Sequence, residues 1–218
     1  MLMEEWFSDG HAVQVPAGTS VLDAELQLSG RSNGLIVMAH AGSGRRLQGR
    51  IQGLSEIFAR AGFATLRMDL LTEEEAEIDG HLDGIHFDSD LLVERLDGAV
   101  DWILDLPEAA HLPLGMFGSG SGAEAVLEVA AERGKTLAAV VAAGLSIERP
   151  SQALRRVTAP TMLVAAEKDL HGMNMTRDCL QAMPGKKRME VLHGTGTLTN
   201  SMDKVARLAC LWFEQYLL

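Results

Sequence analysis

The chain alternates short apolar runs with longer segments whose apolar residues recur at helical spacing. Gly34 to Ala39 (GLIVMA), Phe63 to Met68, Leu112 to Phe117, Leu137 to Ala142, Thr161 to Ala165 and Arg188 to Leu192 have the length of strands. A run such as GLIVMA is apolar at consecutive positions, the mark of a strand buried on both faces of a parallel sheet. Leu47 to Ala61 places Ile51, Leu54, Ile57 and Phe58 three and four residues apart. That spacing predicts an amphipathic helix, and Gly62 ends it. Helices are also expected over Asp88 to Leu104, Ala123 to Ala131, Met175 to Met183 and Met202 to Tyr216, with a helical turn over Gln152 to Val157. Ahead of all these, Ala12 to Val15 and Val21 to Leu28 alternate partly and are split by Pro16-Ala17-Gly18, an antiparallel hairpin pattern. Strands alternating with helices predict an α/β fold, a mostly parallel sheet of about 7–8 strands with helices on both faces. No repeat or linker interrupts residues 1–218, so a single domain is expected.

In sheets of this kind ligands bind beyond the carboxyl ends of the strands, so the strand tips are the places to search. The most informative tip is Phe117-Gly118-Ser119-Gly120-Ser121-Gly122-Ala123, a strand entering a helix through Gly and Ser. This is the context of the G-x-S-x-G nucleophile elbow, whose outer glycines let strand and helix approach closely. With Gly118 and Gly122 as the outer pair, the nucleophile position falls on Gly120, which carries no side chain to attack with. The other reading of the motif is a Gly-rich turn for phosphate or for packing.

Charged residues make up 22% of the chain and hydrophobic ones 47%, which excludes a disordered protein. The net charge of −11 argues against nucleic acid and anionic membrane as partners and leaves a small neutral molecule open. No apolar run reaches the length that spans a bilayer, and the first residues lack the basic start and apolar stretch of a signal peptide. Cys179 and Cys210 each lie in a helical stretch and read as buried small residues. A cytoplasmic location is therefore expected, and self-association into a homo-oligomer is left open.

Four stretches together carry a resemblance. They are Val37-Met38-Ala39-His40-Ala41-Gly42-Ser43-Gly44, Met68-Asp69-Leu70-Leu71-Thr72-Glu73-Glu74, the Gly118 to Gly122 motif, and Ala166-Glu167-Lys168-Asp169, with Val205 to Phe213 fitting as the last helix. The chain resembles the dienelactone hydrolase branch of the α/β-hydrolase superfamily, in order from about Ala12 onward. The resemblance implies the α/β-hydrolase fold and ester or lactone hydrolysis by a serine, an acid and a histidine, with no metal or other cofactor. It places the acid at Asp169, the nucleophile at Gly120 and the histidine at Thr197. Two of the three roles are therefore substituted, and the serine-hydrolase mechanism lacks both its nucleophile and its base. The expected oxyanion donors are backbone N–H groups of Ser121 and of the Ala41-Gly42 turn, which side-chain changes do not remove.

Two functional readings follow. The first is a pseudoenzyme, a divergent homologue that has lost serine-hydrolase activity and keeps a pocket for a small ester, lactone or carboxylate, or a partner surface. The second is an active carboxylesterase or lactonase that relocates its groups to Ser121, His193 and Asp169, preserving the chain order of serine, acid, histidine. Against the second, Ser121 would ordinarily start the helix and His193 would be a polar strand-end residue. A third chemistry, acid–base work by Asp169 with a nearby His, uses the same pocket; His171, beside Asp169, reads by default as a turn residue. His40 reads as a structural residue of its turn. His81 and His86 with Asp79, Asp83 and Asp88 show no ligand spacing of a known metal site and read as a solvated acidic loop. Lys186-Lys187-Arg188 reads as a solvated strand entry; Arg45 and Arg46 follow the oxyanion turn, and contact with an anionic ligand is the minor reading of that pair.

Overall fold

A computed structural model describes residues 7–40, 45–75, 89–145 and 150–218, with the side chains of 7–9 and 45–50 left aside. Eight strands form one sheet: β1 (Phe7–Ala17), β2 (Ser20–Leu28), β3 (Leu35–His40), β4 (Ala64–Asp69), β5 (Leu114–Ser119), β6 (Leu137–Ala143), β7 (Thr161–Ala166) and β8 (Lys187–Leu192). Their order is β1-β2-β4-β3-β5-β6-β7-β8. The β1–β2 and β2–β4 pairs are antiparallel, and the pairs from β4 through β3 to β8 are parallel. The helices are α1 (Arg45–Arg60), α2 (Ser89–Asp105), α3 (Ser121–Arg133), α4 (Leu170–Ala182) and α5 (Met202–Leu217). This is the mostly parallel sheet that the alternation of strand and helix predicts, in the α/β-hydrolase architecture that the resemblance implies.

The strands sort their side chains as the period of two requires. On β3, Leu35, Val37 and Ala39 enter the core shared with α2, α3 and α4, while Ile36 and Met38 enter the core shared with α1 and α5. Both faces are buried, which is why the run reads as continuously apolar. The α5 side is built on aromatic edges: Phe58 meets Phe117 and Phe213, each at 5.7 Å between ring centroids. Gly115 on β5 makes room for them, since a Cβ there would stand 2.9 Å from Phe213 Cε1. Cys179 on α4 and Cys210 on α5 sit in the two different cores as free thiols. Burial pushes them up to about 12 and about 11, so neither is a ready nucleophile.

One buried charge lies outside the expected pattern. Arg95 occupies the inward stripe of α2 beside Leu92 and Leu96 and is 3% exposed. Its Nη1 donates to Leu70 O at 2.7 Å and to Glu75 Oε2 at 2.6 Å, and its Nη2 to Glu75 Oε1 at 2.8 Å. Thr72 and Glu75 also cap each other. The Thr72 N–H donates to Glu75 Oε2 at 2.9 Å, and the Glu75 N–H to Thr72 Oγ1 at 3.3 Å. The acidic run after β4 is thus tied to the helix that follows it in the chain. The Arg95 guanidinium first, then the Thr72 and Coulombic contacts, hold Glu75 at about 2 against an ordinary 4.5, with burial opposing. A lowered carboxylate stabilises the fold above its unfolded value and loses that contribution as pH falls towards 2. Glu75→Gln keeps the cap and is expected to cost about 2 kcal/mol at neutral pH, allowing for solvent screening. In urea titrations the difference from the parent should shrink towards zero near pH 2. A constant difference across that range would contradict this account of the pair.

Candidate functional site

The site lies where β5, β6, β7 and the loop after β8 end on the same side of the sheet. At the end of β5 the backbone turns through Gly120 at φ 60° and ψ −129°, a region that side-chain-bearing residues enter only under strain. Both flanking glycines are packing requirements. A Cβ on Gly118 would collide with the Gly122 carbonyl, and one on Gly122 with the Ala39 carbonyl of β3. At Gly120 an added Cβ meets nothing within 4 Å. The tight outer positions bring α3 against β3 and β5, and the central position faces open space. Ser121 is the first residue of α3, exposed, and no side chain caps that helix start.

A cavity of about 330 Å³ opens at this turn. Gly120, Asp169 and Thr197 all line it, so three positions from distant parts of the chain converge there. Ile51, Leu145, Leu198 and Met202 supply an apolar wall, and Ser119, Thr176 and Thr199 supply hydroxyls. Ser121, His193, His171 and His40 are not among the lining residues. Asp169 is the one described lining residue whose side chain carries a charge.

Asp169 follows β7 and caps α4, its Oδ1 accepting the Gly172 N–H at 2.9 Å. A Cβ on Gly172 would collide with Asp169 Oδ2, so glycine leaves room for the carboxylate. Because of this cap the helix starts at Leu170, earlier than the Met175 start expected from sequence. Thr197 is held by its own turn: the Thr195 hydroxyl donates to Thr197 O, and the Thr197 N–H returns to Thr195 Oγ1 at 3.3 Å.

His193 is bonded to Glu167. Its Nδ1 lies 2.9 Å from Glu167 Oε1, and its side chain is 79% exposed. The Gly194 N–H donates to the other Glu167 oxygen at 2.7 Å. These two bonds, the Gly194 one foremost, hold Glu167 below the usual carboxylate range. Glu167 is therefore an acceptor, and Nδ1 is the nitrogen that carries the proton. The sequence gives Glu167 no role toward His193 because the partners lie 26 residues apart and meet only once β7 and β8 pair. Of the relocated set of Ser121, His193 and Asp169, the structure shows the imidazole bonded to the glutamate at the β7 tip.

His40 ends β3, is 6% exposed, and its Nδ1 lies 3.7 Å from Asp69 Oδ2. His171 is exposed on the first turn of α4. Ala41 and Gly42, and the His81, His86, Asp79, Asp83 and Asp88 group, fall outside the described residues, as do the side chains of Arg45 and Arg46. Among the described residues no three His, Cys, Asp or Glu side chains cluster as metal ligands would, and no helix is long and apolar enough to cross a membrane.

Comparisons with known proteins agree with this fold. The crystal structure of a dienelactone hydrolase from Anabaena variabilis superposes with a TM-score of 0.86 at 35% identity, covering 96% of this chain and 99% of that one. Est1E from Butyrivibrio proteoclasticus superposes at 0.70 with 14% identity, over 93% of this chain and 99% of its own, a likeness of fold alone. Two curated Mycobacterium tuberculosis proteins, from strains CDC 1551 and H37Rv, bear the name "Putative phosphoribosyl transferase". Each is 34% identical over 208 residues, 94% of this chain and 46% of theirs. The chain spans about half the length of those relatives. The model of the dienelactone hydrolase family matches residues 25–191. With that match over most of its length, the chain belongs to the dienelactone hydrolase family.

Proposed function

We propose that this member of the family has lost serine-hydrolase chemistry and retains the pocket as a binding site for a small molecule with a carbonyl group. One observation carries the reading. The turn that would present a nucleophile presents Gly120, in a cavity whose described lining holds no His, Cys or Lys. A hydroxyl attacks only when a base takes its proton and an acid orients that base. Ser119, Thr176, Thr197 and Thr199 have hydroxyls on the cavity but no imidazole beside them. What remains is an acid, a turn whose Ser121 N–H stands at a helix start, and an apolar wall, a set suited to holding a ligand.

The phosphoribosyl transferase name belongs to relatives of about twice this length and is not carried over to this chain. The test is ester turnover. The purified chain is expected to hydrolyse short p-nitrophenyl esters hardly above buffer. Binding and oxyanion donors alone can leave roughly 10³–10⁴ over water without a triad, so the diagnostic is saturable turnover with a burst. Such turnover, abolished by Ser121→Ala, would establish the relocated esterase instead.

A further inference from the structure

β8 (Lys187–Leu192) ends the sheet on one side, and among the described residues no strand pairs with its outer edge. In a ladder, alternate residues turn their backbone groups to one neighbour. The Thr161 N–H donates to Lys186 O and the Glu167 N–H to Leu192 O, so the even-numbered residues of this stretch bond β7. Lys187, Met189 and Val191 therefore turn their N–H and C=O groups outward, and no described residue supplies them a backbone partner. Such a row is a template for another strand unless something repels it. Basic residues often do so, but here their charges are engaged within the chain. Lys187 Nζ donates to Met183 O at 2.6 Å, Lys186 Nζ lies 5.6 Å from the centre of the Tyr216 ring, and Arg188 Nε lies 2.5 Å from Glu190 Oε1.

We infer that the outer edge of β8 docks a second copy of this chain, whose own β8 adds antiparallel about a two-fold axis at Met189. The charges select both the occupant and the register. An axis at Met189 sets Arg188 of each copy opposite Glu190 of the other, Lys187 opposite Val191, and Met189 opposite Met189. An axis at Arg188 sets arginine against arginine, and one at Glu190 sets glutamate against glutamate, and like charges directly opposite are destabilising. In the Met189 register the residues with free backbone groups form the hydrogen-bonded pairs, each exchanging two N–H···O bonds. Arg188 and Glu190 then fall in the non-hydrogen-bonded pairs, where side chains stand closest. Arg188 is 60% exposed and free to turn across the seam. The four charges alternate in sign, so the ion pair within each chain is continued by the other copy. The net charge of −11 opposes contact over the rest of the surface, whereas this edge carries three basic residues and one acidic residue over 186–190. A two-fold pair uses the β8 edge of both copies and closes at a dimer.

Sedimentation velocity of the full chain, from low-micromolar to several-hundred-micromolar concentration, tests this. A monomer–dimer equilibrium with no larger species is expected. Glu190→Arg and Arg188→Glu each set like charges opposite one another and are expected to weaken the dimer about tenfold or more. Mixed in equal amounts, these two variants present complementary edges, and the dimer should return as a heterodimer. Met189→Pro removes an outward N–H that β7 does not use, a change an edge strand tolerates. It should also abolish the dimer while the circular dichroism spectrum stays that of the parent. A parent that is monomeric at every concentration, an open series of larger species, or folded charge variants that do not recover on mixing would each overturn the inference. So would a dimer that Met189→Pro leaves undiminished, and this arm decides alone if a charge variant does not fold.

Discussion

A chain carrying both Gly120→Ser and Thr197→His is expected to hydrolyse short p-nitrophenyl esters, while each single variant stays inactive. The serine alone has no base among the described lining residues, and the histidine alone has no hydroxyl at the elbow position to activate. The geometry favours the pair. A Cβ at Gly120 meets nothing within 4 Å, so the new hydroxyl has room. The turn at Thr197 is closed by Thr195 and by the Thr197 backbone, so a change of its side chain leaves that turn in place. Asp169 keeps a second carboxylate oxygen beyond the one that caps α4, available to orient an imidazole. Triad members act as a unit, so the gain should be strongly non-additive, at least about 10²-fold over either single variant. An error of about 1 Å in placement can cost 10²-fold, which keeps the expected rate well below that of an evolved hydrolase. Turnover by Gly120→Ser alone would show that another residue already serves as base and that Thr197 is not the vacant histidine position.

Gly122→Ala and Gly118→Ala are expected to destabilise the fold by about 3 kcal/mol or more, lowering the melting temperature by roughly 6–12 °C. In each case the added methyl is driven into a backbone carbonyl that cannot rotate away, Ala39 for Gly122 and Gly122 for Gly118. Helix propensity favours Ala over Gly by about 1 kcal/mol, so the packing conflict must exceed that gain for Gly122→Ala to lose stability. Gly120→Ser tests the middle position by a different mechanism. There the space is open and the penalty is conformational, about 1–3 kcal/mol for a side chain at φ 60°. The expected order is thus outer glycines worst, central glycine intermediate. A neutral Gly122→Ala would mean that α3 can slide off β3, and a neutral Gly120→Ser would mean that the turn is not under strain.

The alternation of apolar runs with helical spacing made the sheet and its helices legible because each face of each element answers to one nearby core. The triplet Gly118, Gly120 and Gly122 was legible for the same local reason: strand, turn and helix adjoin in the chain. Contacts between distant segments were not. Glu167 and His193 meet only because β7 and β8 are neighbours in the sheet. The pairing of Arg95 with Glu75 was hidden because a charge within an apolar stripe gives no hint of its partner, although Thr72 to Glu75 has the spacing of a capping box. The start of α4 was hidden by Gly172 and Asn174, poor helix formers whose cost is offset by the Asp169 cap.

Labelling with a fluorophosphonate, read by intact mass and peptide mapping, tests the central claim most directly. The reagent reports an activated serine whatever the natural substrate. The unmodified chain is expected to stay unlabelled, and the Gly120→Ser, Thr197→His double variant to acquire one adduct on the new serine. An adduct on Ser119 or Ser121 of the unmodified chain would contradict the loss of serine-hydrolase chemistry.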